Sequence, residues 1–94
     1  MAFVYIMASK VNGTLYIGVT SNLVKRVYEH KKDFVDGFTK KYDVKMLVYY
    51  KQFENIKDAI YREKRLKTWQ RKWKLDLINK FNPLWLDLYD NILK

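Results

Sequence analysis

Apolar residues run in short blocks through the first half of the chain and change to helical spacing in the second. Phe3 to Ser9 is an apolar run rich in strand-forming residues, and Thr14 to Val19 is another. Lys10 to Gly13 between them reads as a turn, because Asn12-Gly13 is a strong hairpin signal. Ser21 or Asn22 is placed to cap a helix from Leu23 to Lys32, with Leu23, Val24 and Val27 as its apolar edge. Asp33 to Asp43 is polar, contains Gly37 and reads as a loop. Lys45 to Phe53, rich in Val, Leu, Tyr and Met, reads as a third strand. Asn55 caps a long helical region from Ile56 to about Lys80, with a break expected near Thr68. Asn82-Pro83 ends that region, and Trp85 to Leu93 forms a short closing helix. The order strand, strand, helix, strand, helix, helix predicts an α+β fold, a small three-stranded antiparallel sheet flanked by helices.

Composition narrows the class. The chain has 94 residues, enough for one modest core, so residues 1–94 are expected to form a single domain. Hydrophobic residues make up 49% and aromatics 17%, with only three Gly and one Pro, which argues against disorder. The absence of cysteine excludes disulfides and thiolate zinc sites, and the single histidine, His30, argues against a histidine-based one. A magnesium-type site built from oxygen ligands stays open. The net charge of +9 and pI near 9.7 favour a polyanionic partner, usually nucleic acid. No basic leader precedes the apolar residues of the N-terminus, which does not read as a signal peptide, and no apolar run approaches the length of a membrane span. Together with the lack of cysteine, this gives a cytoplasmic expectation.

Several residues depart from a purely structural pattern. If Asn12-Gly13 are the central residues of a two-residue turn, Val11 pairs with Thr14, Ser9 with Tyr16 and Met7 with Gly18. Tyr5, Tyr16 and Gly18 then share one sheet face. A strand tyrosine is ordinarily structural, but a strand glycine often marks close approach by a ligand or another backbone. Arg26 and His30 stand four apart, one turn along one helix face. Arginine forks onto phosphate and histidine passes protons near neutral pH, although such a pair is also commonplace on exposed surfaces. Ile56, Ala59, Ile60 and Leu66 mark an apolar stripe, and Glu63 interrupts it. A carboxylate there calls for either a basic partner or a cation. From Arg62 to Lys74, basic residues interleave with Trp69 and Trp73. That could be a stacking platform for nucleic acid. Leu66, Trp69, Trp73 and Leu77 nevertheless fall at helical spacing, so both tryptophans are expected mainly in the core, with the basic residues outside.

Taken in order, these residues resemble the signature of the GIY-YIG nuclease family. Phe3-Val4-Tyr5 resembles the first triad with its leading glycine replaced, and Tyr16-Ile17-Gly18 matches the second intact. Arg26 and His30 follow as the family's helix pair, Glu63 resembles its metal-binding glutamate, and Asn82 its late asparagine. The resemblance spans nearly the whole chain. It is strongest to the small bacterial stand-alone members, through Val4-Tyr5-Ile6, Leu15 to Thr20, Asn22-Leu23, Leu47 to Tyr50 and Asn82 to Trp85.

The resemblance implies a metal-dependent endonuclease that hydrolyses phosphodiester bonds in nucleic acid, DNA favoured over RNA, in a setting such as repair or recombination. Glu63 would hold one Mg²⁺ or Mn²⁺, Arg26 would stabilise charge on the phosphate, and a tyrosine helped by His30 would activate water. Tyr5 and Tyr16 both qualify for that last role. Gly18 and Asn82 would orient the site, and Lys64, Lys67 and Arg71 would contact the nucleic-acid backbone. Targeting would call for a homodimer, a protein partner or a branched substrate. One rival reading is a nucleic-acid-binding module of the same fold with weak or absent catalysis. Another is a basic amphipathic protein acting on anionic membranes, against which the strand-rich first half argues.

Overall fold

The computed structural model describes residues 1–34 and 37–94. Three strands, β1 (Ala2–Ala8), β2 (Leu15–Thr20) and β3 (Met46–Phe53), form one antiparallel sheet in the order β2-β1-β3. Helices α1 (Leu23–Lys31), α2 (Phe38–Lys41), α3 (Ile56–Thr68), α4 (Arg71–Phe81) and α5 (Tyr89–Ile92) complete the described elements. The α+β expectation holds.

The apolar blocks become strands because the middle strand is covered on both faces, and β1 is buried at every position except Phe3. Ala2, Val4, Ile6 and Ala8 face the first core with Ile17, Ala59, Leu66 and Ile78, which places α3 and α4 on that face. Tyr5 and Met7 face the second core with Leu23, Val27, Leu47 and Leu88, under α1 and the C-terminal segment. A bulge between Ile6 and Met7 sets Ile6 opposite Tyr49 and Met7 opposite Leu47, skipping Val48. Beside this irregularity the Leu47 N–H donates to Asp87 Oδ1 (3.2 Å), and the Leu88 N–H donates to the Leu47 carbonyl (2.8 Å). The outer side of β3 is thereby tied to the C-terminal segment, whereas β2 remains an edge strand.

Three expectations need correcting. The hairpin turn is Lys10-Val11-Asn12-Gly13, closed by the Gly13 N–H donating to the Lys10 carbonyl (2.9 Å), so its central residues are Val11 and Asn12. Asn12 takes the left-handed conformation (φ 56°), which asparagine tolerates. Tyr5 consequently pairs with Gly18 and Met7 with Tyr16, a register two residues from the one expected. An even shift preserves the face, so Tyr5, Tyr16 and Gly18 do lie on one side. Second, the expected loop from Asp33 to Asp43 contains α2, with Gly37 (φ 76°) ahead of it; positions 35 and 36 of that loop lie outside the described residues. Third, the closing helix is only Tyr89–Ile92, because Asn82 to Trp85 is a turn in which the Trp85 N–H donates to the Asn82 carbonyl (2.9 Å).

The helix caps agree with the sequence. Asn22 accepts from the Lys25 N–H and Asn55 from the Asp58 N–H. The long helical region breaks at Trp69-Gln70, both extended (ψ 149° and 150°), one residue past Thr68. That break separates the spacing of Leu66 and Trp69 from that of Trp73 and Leu77. Trp69 stays packed on the first core with Arg62 stacked 4.9 Å from its ring centre, but Trp73 is 49% exposed. The expectation that both tryptophans are mainly buried fails for Trp73, because it carries one helical spacing across the break that the same sequence leads one to expect near Thr68.

Candidate active site

Tyr5 sits at the centre of β1, fully buried, with its side chain on the α1 face of the sheet. Its hydroxyl lies 3.0 Å from His30 Nε2. This approach depends on Gly18, the cross-strand partner of Tyr5: a Cβ there would overlap the Tyr5 hydroxyl and ring carbon Cζ. The close neighbour that the strand glycine signals is therefore the Tyr5 phenol itself. On the far side of the imidazole, His30 Nδ1 is 3.2 Å from Thr39 Oγ1. Tyr16 packs beside both, with ring centres 6.3 Å from Tyr5 and 5.2 Å from His30, and it is half-buried where Tyr5 is closed off.

Burial dominates the electrostatics. It raises the Tyr5 phenol well above its ordinary range; the neighbouring Tyr16 and Glu63 push the same way and Arg26 opposes. Burial, reinforced by Arg26, lowers His30 to about 4 against the pull of Glu29. Near neutral pH the pair is thus an uncharged phenol on an uncharged imidazole. Arg26, one turn before His30 on α1, is ion-paired with Glu29 at 3.5 Å and keeps 40% of its side chain exposed. The Arg26 charge acts on both Tyr5 and His30, whereas Glu63 stands on α3, whose Ala59 and Leu66 pack on the other face of the sheet, and is linked to Tyr16 through Lys67, which lines one groove with it.

Glu63 comes from α3, the helix that packs on β1 and β2. The stripe it interrupts is only partly apolar contact: Ala59 and Leu66 are buried, but Ile56 is 44% exposed. The Glu63 side chain is only 15% exposed, and Lys67 Nζ lies 2.9 Å from its Oε2. No group of three His, Cys, Asp or Glu side chains could cage a metal among the described residues. The donor set fits a single divalent ion held by one carboxylate, with water and substrate phosphate supplying the remaining oxygens. The ammonium of Lys67 against a mostly buried carboxylate shows that this position already accommodates positive charge.

The other expected residues divide. Asn82 is buried and donates from Nδ2 to the carbonyls of Val48 (3.2 Å) and Leu86 (2.8 Å), while its Oδ1 accepts from the Leu86 N–H (3.1 Å). Its polar partners are all backbone groups of the turn and β3, and none is a candidate catalytic residue. Arg71 donates from one nitrogen to the carbonyls of Asn12 and Gly13, each at 2.7 Å, and so clasps the hairpin turn. Lys64 is exposed. Lys67 and Lys74 line a shallow groove with Leu15, Tyr16, Ile17 and Phe38 along the β2 edge. Thr39 and Phe38 escape a reading from sequence, and the Lys67–Glu63 pair is only half foreseen. Thr39 and Phe38 fall in an expected loop with no periodicity to mark them; the salt bridge is one of the two readings of Glu63.

These elements form an α+β domain, and the chain belongs to the GIY-YIG family: residues 1–76 match the family's catalytic domain. Its relatives include bacterial UPF0213 proteins. That of Staphylococcus saprophyticus is 33% identical over 78 residues, covering 83% of this chain and 94% of the relative. The Clostridium perfringens protein is 38% identical over 79 residues, 84% of each chain. The Pediococcus pentosaceus protein is 32% identical over 78 residues, covering 83% of this chain and 82% of its own. No solved structure matches the chain. Family membership implies nuclease chemistry, nucleic acid as the partner and a divalent metal as the usual cofactor. Among the described residues, no helix is long and apolar enough to cross a membrane.

Proposed function

We propose that this protein is a divalent-metal-dependent endonuclease that hydrolyses phosphodiester bonds, acting on DNA in the cytoplasm. The observation that carries the reading is the convergence of Tyr5, Tyr16 and His30 in ring contact, with Arg26 one turn before His30 on α1 and Glu63 paired to Lys67, which lines one groove with Tyr16. A domain that only bound nucleic acid could keep the buried phenol–imidazole pair for stability; it is Arg26 and the mostly buried Glu63 carboxylate that favour catalysis over binding alone. The preference for DNA, and repair or recombination as the setting, rest on family resemblance alone.

Tyr16 is assigned the role of orienting the attacking water, and it would take the water's proton only as the phenolate, its own proton having first passed to solvent. Tyr5 is poorly suited to it, since its phenol is sealed from solvent and burial disfavours its phenolate. Tyr5 and His30 instead form a fixed polar wall, buttressed by Thr39, that holds the ring of Tyr16 in place. Arg26, partly exposed, donates to the phosphate as negative charge builds in the transition state. Glu63 would hold Mg²⁺ or Mn²⁺, which when bound supplies Lewis-acid polarisation of the phosphate and stabilises the leaving oxygen. Lys64, Lys67 and Lys74 provide phosphate contacts along the approach, whereas the turn-clasping Arg71 contributes little there.

The test is cleavage with Mg²⁺ and Mn²⁺ over duplex, single-stranded, branched and RNA substrates. Metal-dependent endonucleolytic cutting of at least one substrate supports the proposal. Binding without cutting on all of them would favour a nucleic-acid-binding module.

A further inference from the structure

Glu63 and Lys67 stand one turn apart on α3, but their surroundings differ. The Glu63 side chain is 15% exposed and that of Lys67 is 52% exposed. Their 2.9 Å contact is therefore unlike an ordinary surface pair, because a nearly buried carboxylate meets an ammonium arriving from solvent. Lys67 also lines the groove along the β2 edge, together with Tyr16 and Lys74. One side chain thus has two anions within its range: the Glu63 carboxylate, and any phosphate that enters the groove beside Tyr16.

We propose that Lys67 is a built-in counter-ion that occupies the cation position at Glu63 until nucleic acid arrives, then leaves it for a substrate phosphate. This rests on Glu63 being the metal ligand. A carboxylate this shielded is costly to leave uncompensated, and Lys67 supplies the compensation in the absence of metal. The same ammonium must be displaced before a divalent ion can occupy the position. A phosphate in the groove lowers the cost of that displacement by giving the ammonium a second anion. Metal binding and nucleic-acid binding then reinforce one another through the movement of one side chain, and the protein without substrate is a poor metal binder. Lys67 is accordingly a positioning residue for the metal.

Two measurements test this, neither of which reads cleavage. In the first, Mn²⁺ is titrated into the protein without nucleic acid, and paramagnetic broadening of amide signals around Glu63 is followed by NMR. Removing a unit positive charge about 6–8 Å from a divalent ion in a water-like dielectric should tighten binding roughly five- to tenfold. Lys67→Met should therefore broaden these signals at a several-fold lower Mn²⁺ concentration than wild type, and Lys67→Arg should behave as wild type. Equal midpoints for wild type and Lys67→Met, with broadening lost in Glu63→Gln, would overturn the counter-ion role and leave the metal ligand standing. Broadening around Glu63 that survives in Glu63→Gln would instead remove Glu63 as the ligand and the functional reading with it.

The second measurement is a double-mutant cycle of oligonucleotide affinity in chelator, where no metal competes. Lys67→Met should weaken binding more in the Glu63→Gln background, where the ammonium is free for phosphate, than in wild type, where it starts on Glu63. An identical loss in both backgrounds would overturn the exchange between carboxylate and phosphate.

Discussion

Tyr5 Oη and His30 Nε2 lie 3.0 Å apart across the interface of β1 and α1, with both side chains buried. Thr39 completes the chain at 3.2 Å from Nδ1. With the phenol held un-ionised and His30 lowered to about 4, two proton arrangements fit the two contacts of the ring. Either Tyr5 donates to Nε2 and Nδ1–H donates to Thr39, or Thr39 donates to Nδ1 and Nε2–H donates to Tyr5. Both keep the imidazole neutral, and the fold depends on that neutrality.

Stability should therefore fall in acid before the carboxylates titrate. Histidine in the unfolded chain takes up a proton near 6.5, whereas folded His30 resists until about 4. The contribution of neutral His30 is fully present above 6.5, declines as pH falls, and is lost by about 4, for a total of roughly 3 kcal/mol. Urea unfolding between about pH 7 and 5 should show this decline in wild type and a flatter profile in His30→Gln. Parallel profiles would show that His30 is not buried as a neutral group.

Gly18→Ala should disturb the site through packing alone. The added methyl would meet the Tyr5 ring, which has no open space to retreat into. Overpacking of this kind costs about 1–3 kcal/mol. Thermal unfolding should register that loss, and the His30 ring resonances should shift as the phenol moves off Nε2. A variant with wild-type stability and unshifted resonances would contradict the cross-strand contact.

The two tryptophans should separate. Trp69, packed on the first core, should cost about 3–5 kcal/mol on truncation to Ala. Trp73→Ala, at an exposed position, should stay within about 1 kcal/mol of wild type by chemical denaturation. Similar large losses for both would restore the expectation that Trp73 is buried with Trp69.

The basic residues should separate too. Log affinity for nucleic acid should fall linearly with log salt, and replacing Lys64 and Lys67 by Ala should flatten the slope. Arg71→Ala should leave the slope nearly unchanged and lower stability by about 1 kcal/mol, because its donors are spent on the Asn12 and Gly13 carbonyls. A slope change for Arg71→Ala equal to that of Lys64→Ala would return Arg71 to the binding surface.

The sequence is legible where local physics and tertiary structure agree. Asn22 and Asn55 cap helices through short-range geometry, and the apolar blocks at β1 and β3 are buried as such blocks should be. The shared face of Tyr5 and Tyr16 follows even from a register two residues off, because strand faces repeat every two residues. The break near Thr68 is legible, but Trp73 is misread because the spacing of Leu66, Trp69, Trp73 and Leu77 is carried across it, and the sequence does not fix the extended geometry of Trp69 and Gln70 that reorients the second helix. Arg71 and Thr39 find their partners outside their own elements, 58 or 59 residues away for Arg71, and neither contact leaves a mark in local spacing. Asn82 is expected to orient the site, but its amide is used up in tying the Asn82–Trp85 turn to β3.

Glu63 is proposed to hold the divalent ion needed for cleavage. Glu63→Gln preserves shape and removes the charge. The decisive measurement is cleavage with Mg²⁺ or Mn²⁺, and binding in chelator, for wild type and Glu63→Gln on one substrate. The account predicts that cleavage by the variant falls by orders of magnitude while metal-free affinity stays level or rises, since a negative charge near phosphate has gone and Lys67 is released. Equal cleavage by the two proteins would contradict it.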